Sequence, residues 1–358
     1  MWAPAILPAL QLLLFLLTAC AHEPYRIVGY VYRDDAIHRI GADKLTHINY
    51  AFGTVTADGE VVLPRRAPAS LAQLQALKSK NPKLQLILSI GGWGADNFSN
   101  AAFNRTMREQ FTGSAIRLVK QYALDGIDLD WEYPGQPGPG IMYREVEDKE
   151  GFTLLLKTLR DHLDALGRER NRHYVLTIAT AGGDEYFSHT EMNVLHAYVD
   201  WINIMAYDFA GDWSKTASHH AALHAPSPLP SGEAFVKQHL AAGIPARKLV
   251  LGIPFYGHGW CGVDPHGNVE APLSNLPFST LVRDYIDKNG FARHWDKIAH
   301  APYLWNEESA TYITYEDPAS IRDKADFIRK HHLGGAMYWE HGADPDETLL
   351  TSLYHALN

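Results

Sequence analysis

Eight short runs rich in apolar and β-branched residues recur along this chain, at residues 26–32, 45–52, 84–90, 126–131, 174–179, 201–207, 249–255 and 334–339. Segments with the apolar spacing of amphipathic helices lie between most of them, at 69–79, 101–121, 149–166 and 232–241, and a further one at 319–330 precedes the last run. Strands that alternate with helices build parallel βαβ units, because a parallel partner is reached only by a crossover long enough to hold a helix. Eight such strands predict a closed (β/α)8 barrel in preference to a doubly wound sheet. The 358 residues, 46% of them hydrophobic, are enough for it.

One stretch breaks the rhythm. Between the seventh run and the helix at 319–330 lie some sixty residues, far more than a βα loop of about 2–6 needs. They contain strand-like pieces such as 311–315 and a helical one at 278–288. We therefore expect a barrel from 24–256 and 318–358, with a small α+β insertion at 257–317. The insertion belongs on the C-terminal rim, where it walls one side of a cleft. A Pro/Gly-rich segment at 134–140 forms a second rim loop after the fourth run.

The fourth run carries the chemistry. Side chains alternate faces along a strand, so Ile127, Leu129 and Trp131 point one way. Gly126, Asp128, Asp130 and Glu132 point the other way, into the barrel and up to its mouth. Three carboxyls stacked on an interior face are costly, because buried like charges cannot all ionise. Asp128 and Asp130 are accordingly expected to share a proton. Burial and the neighbouring charge are expected to keep Glu132 protonated, as a general acid requires.

The run Asp125-Gly126-Ile127-Asp128-Leu129-Asp130-Trp131-Glu132 resembles, at every fixed position, the DGxDxDxE signature of the family-18 glycoside hydrolases, the chitinases. The resemblance implies that Glu132 protonates the glycosidic oxygen. It also implies that no carboxylate nucleophile takes part: the substrate's own 2-acetamido oxygen attacks the anomeric carbon, an exception to the usual two-carboxylate scheme. By position, Asp130 orients that acetamido group and stabilises the positive intermediate, Asp128 supports Asp130, and Asp125 is structural.

Other segments carry the same resemblance. Ser89-Ile90-Gly91-Gly92-Trp93 is similar to the family's SxGG motif. Ser89 is placed to hydrogen-bond Asp128, the two glycines leave room for the ladder beside them, and Trp93 offers a sugar platform. Met205-Ala206-Tyr207-Asp208 resembles the M-x-Y-D motif, which gives Tyr207 the task of holding the acetamido group and Asp208 contact with sugar or with the acid. Trp213 follows closely. Trp339 resembles the tryptophan that floors the pocket, and Tyr30, Phe52 and Met205 are similar to pocket-lining positions. His258 stands where family members often carry Arg, a departure in this sequence. The likeness runs from residue 25 onward and includes the insertion.

The N-terminus reads as an export signal over 1–19: a short apolar run, too brief to span a bilayer, ends in small residues. Leu17-Thr18-Ala19-Cys20 resembles a bacterial lipobox with Cys20 as the lipidation site, although no Lys or Arg precedes it. The expected product is an outer-membrane or cell-surface lipoprotein if Cys20 is lipidated, and a secreted protein otherwise.

The net charge of −9 argues against nucleic acid and anionic membrane surfaces as partners, leaving a lipid anchor as the only expected membrane contact. Two cysteines exclude a disulfide scaffold. No H-E-x-x-H or closely spaced Cys/His set occurs, so neither a metal site nor a cofactor is expected. A monomer acting on chitin or chitooligosaccharides is the leading expectation. A chitin-binding lectin without turnover is a second, and a hydrolase of another N-acetylated glycan, such as an N-glycan core or peptidoglycan, is a third.

Overall fold

The computed structural model describes residues 24–34, 37–138 and 141–358. The export segment, Cys20 and the end of the 134–140 loop lie outside them. Eight parallel strands follow one another around a ring: Arg26–Val31, His47–Val55, Gln85–Gly91, Gly126–Asp130, Val175–Thr180, Trp201–Ile204, Leu249–Pro254 and Gly335–Trp339. The first pairs with both the second and the eighth, which closes the barrel. A short strand, Val61–Val62, pairs antiparallel with the extended end of the second.

Helices cover the outside, and three of them start at a side-chain cap. Expectation and structure differ at 101–121, where two helices replace one: Phe98–Phe103 and Arg105–Gln121. Asn104 breaks out to an extended conformation, and its side chain accepts the Met107 N–H, capping the second helix. Ser231 caps Gly232–Ala241 in the same way. Asp317 and Ser320 form a reciprocal capping box at the start of Pro318–Lys330. Helix Glu147–Arg170 outruns the expected 149–166 at both ends, with acidic residues in its first turn and Asn171 in the left-handed conformation closing it. A final helix, Thr348–Leu357, turns Leu349, Leu350, Leu353 and Leu357 onto the core. Among the described residues no helix is long and apolar enough to cross a membrane.

Alternation on the fourth strand divides two cores. Ile127, Leu129 and Trp131 join the layer between strands and helices. Trp131 stacks on Phe98 at 5.3 Å between ring centres and meets Phe152 edge-on at 5.5 Å. Removing a fully buried Trp leaves a cavity that its neighbours cannot fill, so Trp131→Ala should cost about 3–5 kcal/mol of unfolding free energy. Chemical denaturation checks this; a loss below about 1 kcal/mol would mean that the layer does not anchor there. Inside the barrel, Val28, Tyr30, Ile87, Val175, Trp201 and Met337 form a packed interior plug.

After the seventh strand the chain leaves the barrel and builds a second, antiparallel sheet. Its strands, in spatial order, are Ala271–Pro277, Tyr256–Cys261, Thr311–Thr314, Ala301–Asn306 and Ala292–Asp296. Helix Phe278–Asp284 packs beside the first two. A buried ion pair ties this sheet down. Lys324, on the last barrel helix before strand eight, pairs with Glu316 at the sheet's exit and donates to the Ala221 carbonyl at 2.8 Å. That pair joins the sheet's exit, the barrel wall and the long loop after strand six.

Candidate active site

The acidic ladder lies where the strand parity puts it. Asp128 is fully buried and accepts four hydrogen bonds. Tyr30 Oη and Ser89 Oγ donate to Oδ2 at 2.8 and 2.7 Å; Thr177 Oγ1 and Asn203 Nδ2 donate to Oδ1 at 2.6 and 3.3 Å. Burial raises its pKa and the four donors pull it back, with a net upward balance. Asp130 differs. It is 5% exposed, and its Oδ1 has no hydrogen-bond partner. Burial, then the charges of Glu132 and Asp128, raise its carboxyl well above the usual range. The donors around Asp128 come from its neighbours on strands one, three, five and six, whereas Asp130 Oδ1 has none, and both carboxyls are displaced upward.

Glu132 stands at the top, half-buried. Burial raises its pKa; a hydrogen bond from Tyr133 opposes and the Asp208 charge adds, bringing it to about 7. Asp125 lies at the opposite end of the strand. Lys78 and Arg172 grip its carboxyl and the Leu86 N–H donates to it at 2.7 Å, which marks it as a fastening at the barrel's closed end.

The third strand ends where its glycines are needed. Gly91 and Gly92 have φ of +123° and +89°, and a Cβ on Gly91 would collide with the Asp130 carbonyl oxygen. A Cβ on Gly92 would lie 2.5 Å from the Phe52 ring. The two glycines therefore let the second, third and fourth strands close up around the ladder.

Aromatic rings surround the mouth. Phe52 stacks on Trp339 at 5.4 Å and 16°. Tyr32 lies 5.7 Å from Trp339 and 6.2 Å from Phe52. Tyr30, expected as pocket lining, is 2% exposed and acts instead through its hydrogen bond to Asp128. Met205 and Tyr207 are half-buried and pack on the interior plug. Trp93 and Trp213 are 71% and 67% exposed, the first beside Tyr133 and the second beside His258. The Ala51–Phe52, Glu132–Tyr133 and Trp339–Glu340 peptide bonds are cis.

Asp208 leaves strand six at φ +57°. Its Oδ1 accepts from Tyr256 Oη at 2.7 Å and lies 2.9 Å from His258 Nε2. Burial works against its charge, but His220, His258 and Tyr256 outweigh burial and hold the carboxyl well below the usual range. Two carboxyls with opposite displacements, Glu132 up and Asp208 down, thus flank one cleft, the pattern that separates a proton donor from a fixed charge.

The family model for glycosyl hydrolases family 18 matches residues 26–344. The chain belongs to that family. Among family-18 relatives, Chitinase A1 of Niallia circulans is 35% identical over 94% of this chain, which spans 59% of that protein's length. A family-18 N-acetylglucosaminidase from Paenibacillus barengoltzii superposes with a TM-score of 0.85 at 38% identity, covering 93% of this chain and 99% of that one. Chitinase ChiA74 from Bacillus thuringiensis superposes with a TM-score of 0.87 at 32% identity, covering 94% and 70%.

Sequence reasoning missed several members of this family-18 site. Thr177 and Asn203 both sit on the interior parity of their strands, and Thr177 is the register partner of Asp128. Applying the alternation argument to strands five and six would have found them. His220 carries no such signal, because a loop brings it in; Tyr256 opens a strand of the second sheet, whose position over the cleft the barrel's register does not give.

Proposed function

We propose that this chain hydrolyses β-1,4 linkages between N-acetylglucosamine units of chitin or chitooligosaccharides, by a retaining, substrate-assisted route. The observation that carries this is the ladder: a half-buried carboxyl at the mouth, raised to about 7 mainly by burial, above a buried second carboxyl whose Oδ1 has no hydrogen-bond partner. Glu132 gives its proton to the glycosidic oxygen. A protonated Asp130 is a poor nucleophile, which leaves the attack on the anomeric carbon to the substrate's acetamido oxygen. Tyr207 holds that group in line. Once Glu132 has lost its proton, the ladder carries one more negative charge, facing the oxazolinium cation that has just formed. The reaction step thus creates its own stabilising charge. Water then opens the oxazolinium, with Glu132 as the base.

Phe52 and Trp339 floor the pocket in this reading, Trp93 and Trp213 extend a platform for the chain, Asp208 meets sugar, and Met205 packs behind them. Residues 257–317 act as an insertion module that walls the cleft. Export with lipidation at Cys20 would place the enzyme at a cell surface or outer membrane. The similarity to an N-acetylglucosaminidase along nearly its whole length supports a second reading, release of single sugars from chain ends. Products from chitotetraose separate the two: chitobiose favours the first reading and N-acetylglucosamine the second.

The acid sets a pH limb with a definite sign. Glu132 acts in its protonated form, and a pKa raised to about 7 keeps that form present below neutrality and loses it as pH rises. We expect kcat/KM to fall about tenfold per pH unit above that point. A limb in the ordinary carboxylate range, near 4.5, would refute the assignment of Glu132 as the lifted acid.

A further inference from the structure

Beside the ladder lies a constellation that serves only in part in the reaction just described. Asp208 and His220 sit on the long loop after strand six, and His258 on strand Tyr256–Cys261. One carboxylate oxygen and one nitrogen from each imidazole lie within 4.8 Å of one another. His258 Nε2 is 2.9 Å from Asp208 Oδ1, and His220 Nδ1 is 3.6 Å from the same oxygen.

His220 poses the physical problem. Its side chain is 1% exposed, and neither ring nitrogen has a hydrogen-bond partner. A separation of 3.6 Å is too long for an N–H···O bond. A neutral imidazole carries one N–H and one lone pair. With the proton on Nδ1, the hydrogen is stranded short of the carboxylate. With the lone pair on Nδ1, two sets of lone pairs face each other. Either arrangement leaves a buried polar group unmade, a cost of about 1–3 kcal/mol. Tyr256 at 5.4 Å and His258 at 5.1 Å between ring centres hold the imidazole in place, so it cannot turn away to solvent. A cation between the nitrogen and the oxygen would satisfy both.

We propose that Asp208, His220 and His258 bind one divalent transition-metal ion of the zinc class. Two imidazoles and one carboxylate are donors that Zn²⁺, Co²⁺, Ni²⁺ and Cu²⁺ accept, whereas Mg²⁺ and Ca²⁺ want oxygen alone. The ion enters from the cleft, since the Asp208 side chain is 40% exposed while His220 closes the inner side. Behind His258, Asp212 Oδ1 lies 3.8 Å from Nδ1, close enough to add negative charge beside the site but too far for a hydrogen bond. The three ligands come from distant points in the sequence, so no short motif announces them. The binding does not depend on the reaction proposed above. Its consequence does: if Asp208 meets sugar, an occupied site withdraws it and inhibits cleavage.

The test titrates the chelator-treated full chain with Co²⁺ at neutral pH and follows the ligand-field absorption, with Zn²⁺ as competitor. We expect one saturable equivalent per chain, displaced by Zn²⁺. His258→Ala should weaken binding by at least about 100-fold, because it removes a direct ligand where even an outer partner is worth 10–100-fold. His220→Ala should do the same, with circular dichroism to verify its fold; His258, on the rim, keeps the test decisive if that variant unfolds. No saturable band, or unchanged Co²⁺ affinity in His258→Ala, would overturn the site. Zn²⁺ inhibition of chitotetraose cleavage is a separate readout. Binding without inhibition would uphold the metal site and remove Asp208 from the sugar contacts.

Discussion

Glu132→Gln should lose about 10²–10⁴-fold or more in kcat on chitotetraose while binding it as tightly as the parent chain. The amide keeps the shape of the carboxyl and cannot deliver a proton. In the proposed reading, binding rests on groups that the change leaves alone: the stacked Phe52 and Trp339 pair and the exposed Trp93 and Trp213 rings. Steady-state kinetics and calorimetric titration of the variant read the two effects separately. Equal losses in binding and turnover would mean that Glu132 holds the sugar rather than protonating it. An active Glu132→Gln variant would remove it from the chemistry altogether.

Asp130→Asn should lower kcat by about 10²–10³-fold with little change in KM. Asn matches the Asp130 side chain in size and fills the same buried position, so the Gly91–Gly92 corner packed against it is undisturbed. What the amide lacks is a proton that can be shared upward with Glu132 once Glu132 has given up its own, so that part of the new charge falls on Asp130 as the oxazolinium forms. A loss confined to kcat is the signature of a group that acts only in the transition state. A variant within tenfold of the parent would show that the ladder works through Glu132 alone. An equal rise in KM would show that Asp130 binds substrate in its ground state.

The barrel was legible because its signal is redundant. Eight apolar runs each had to pair, and the parity of Ile127, Leu129 and Trp131 set the facing of the whole acidic strand. The break at Asn104 was harder to see, because a cap inside a helical pattern looks like an ordinary polar position until the backbone leaves the helix. The last helix, with leucines at 349, 350, 353 and 357, has a helical spacing that was available and went unused. At the site, residues on strands could be placed by counting in twos, and Ser89 meets Asp128 where the register puts it. The same count stopped short at Thr177 and Asn203, whose small polar side chains look unremarkable in sequence and matter only because Asp128 is buried among them. Alternation shows which carboxyls are neighbours, but the donors around each one, four on Asp128 and none on Asp130 Oδ1, appear only in the structure. His220 depends on a loop path that no periodicity encodes, and Tyr256 and His258 share one face of a strand whose placement over the rim depends on the second sheet.

Proton NMR of the first products from chitotetraose tests the central claim most directly. Attack by the substrate's own acetamido group, followed by water from the opposite side, retains configuration, so the new reducing end should appear first as the β-anomer and mutarotate afterwards. An α-anomer at the earliest times would require direct attack by water and contradict substrate assistance.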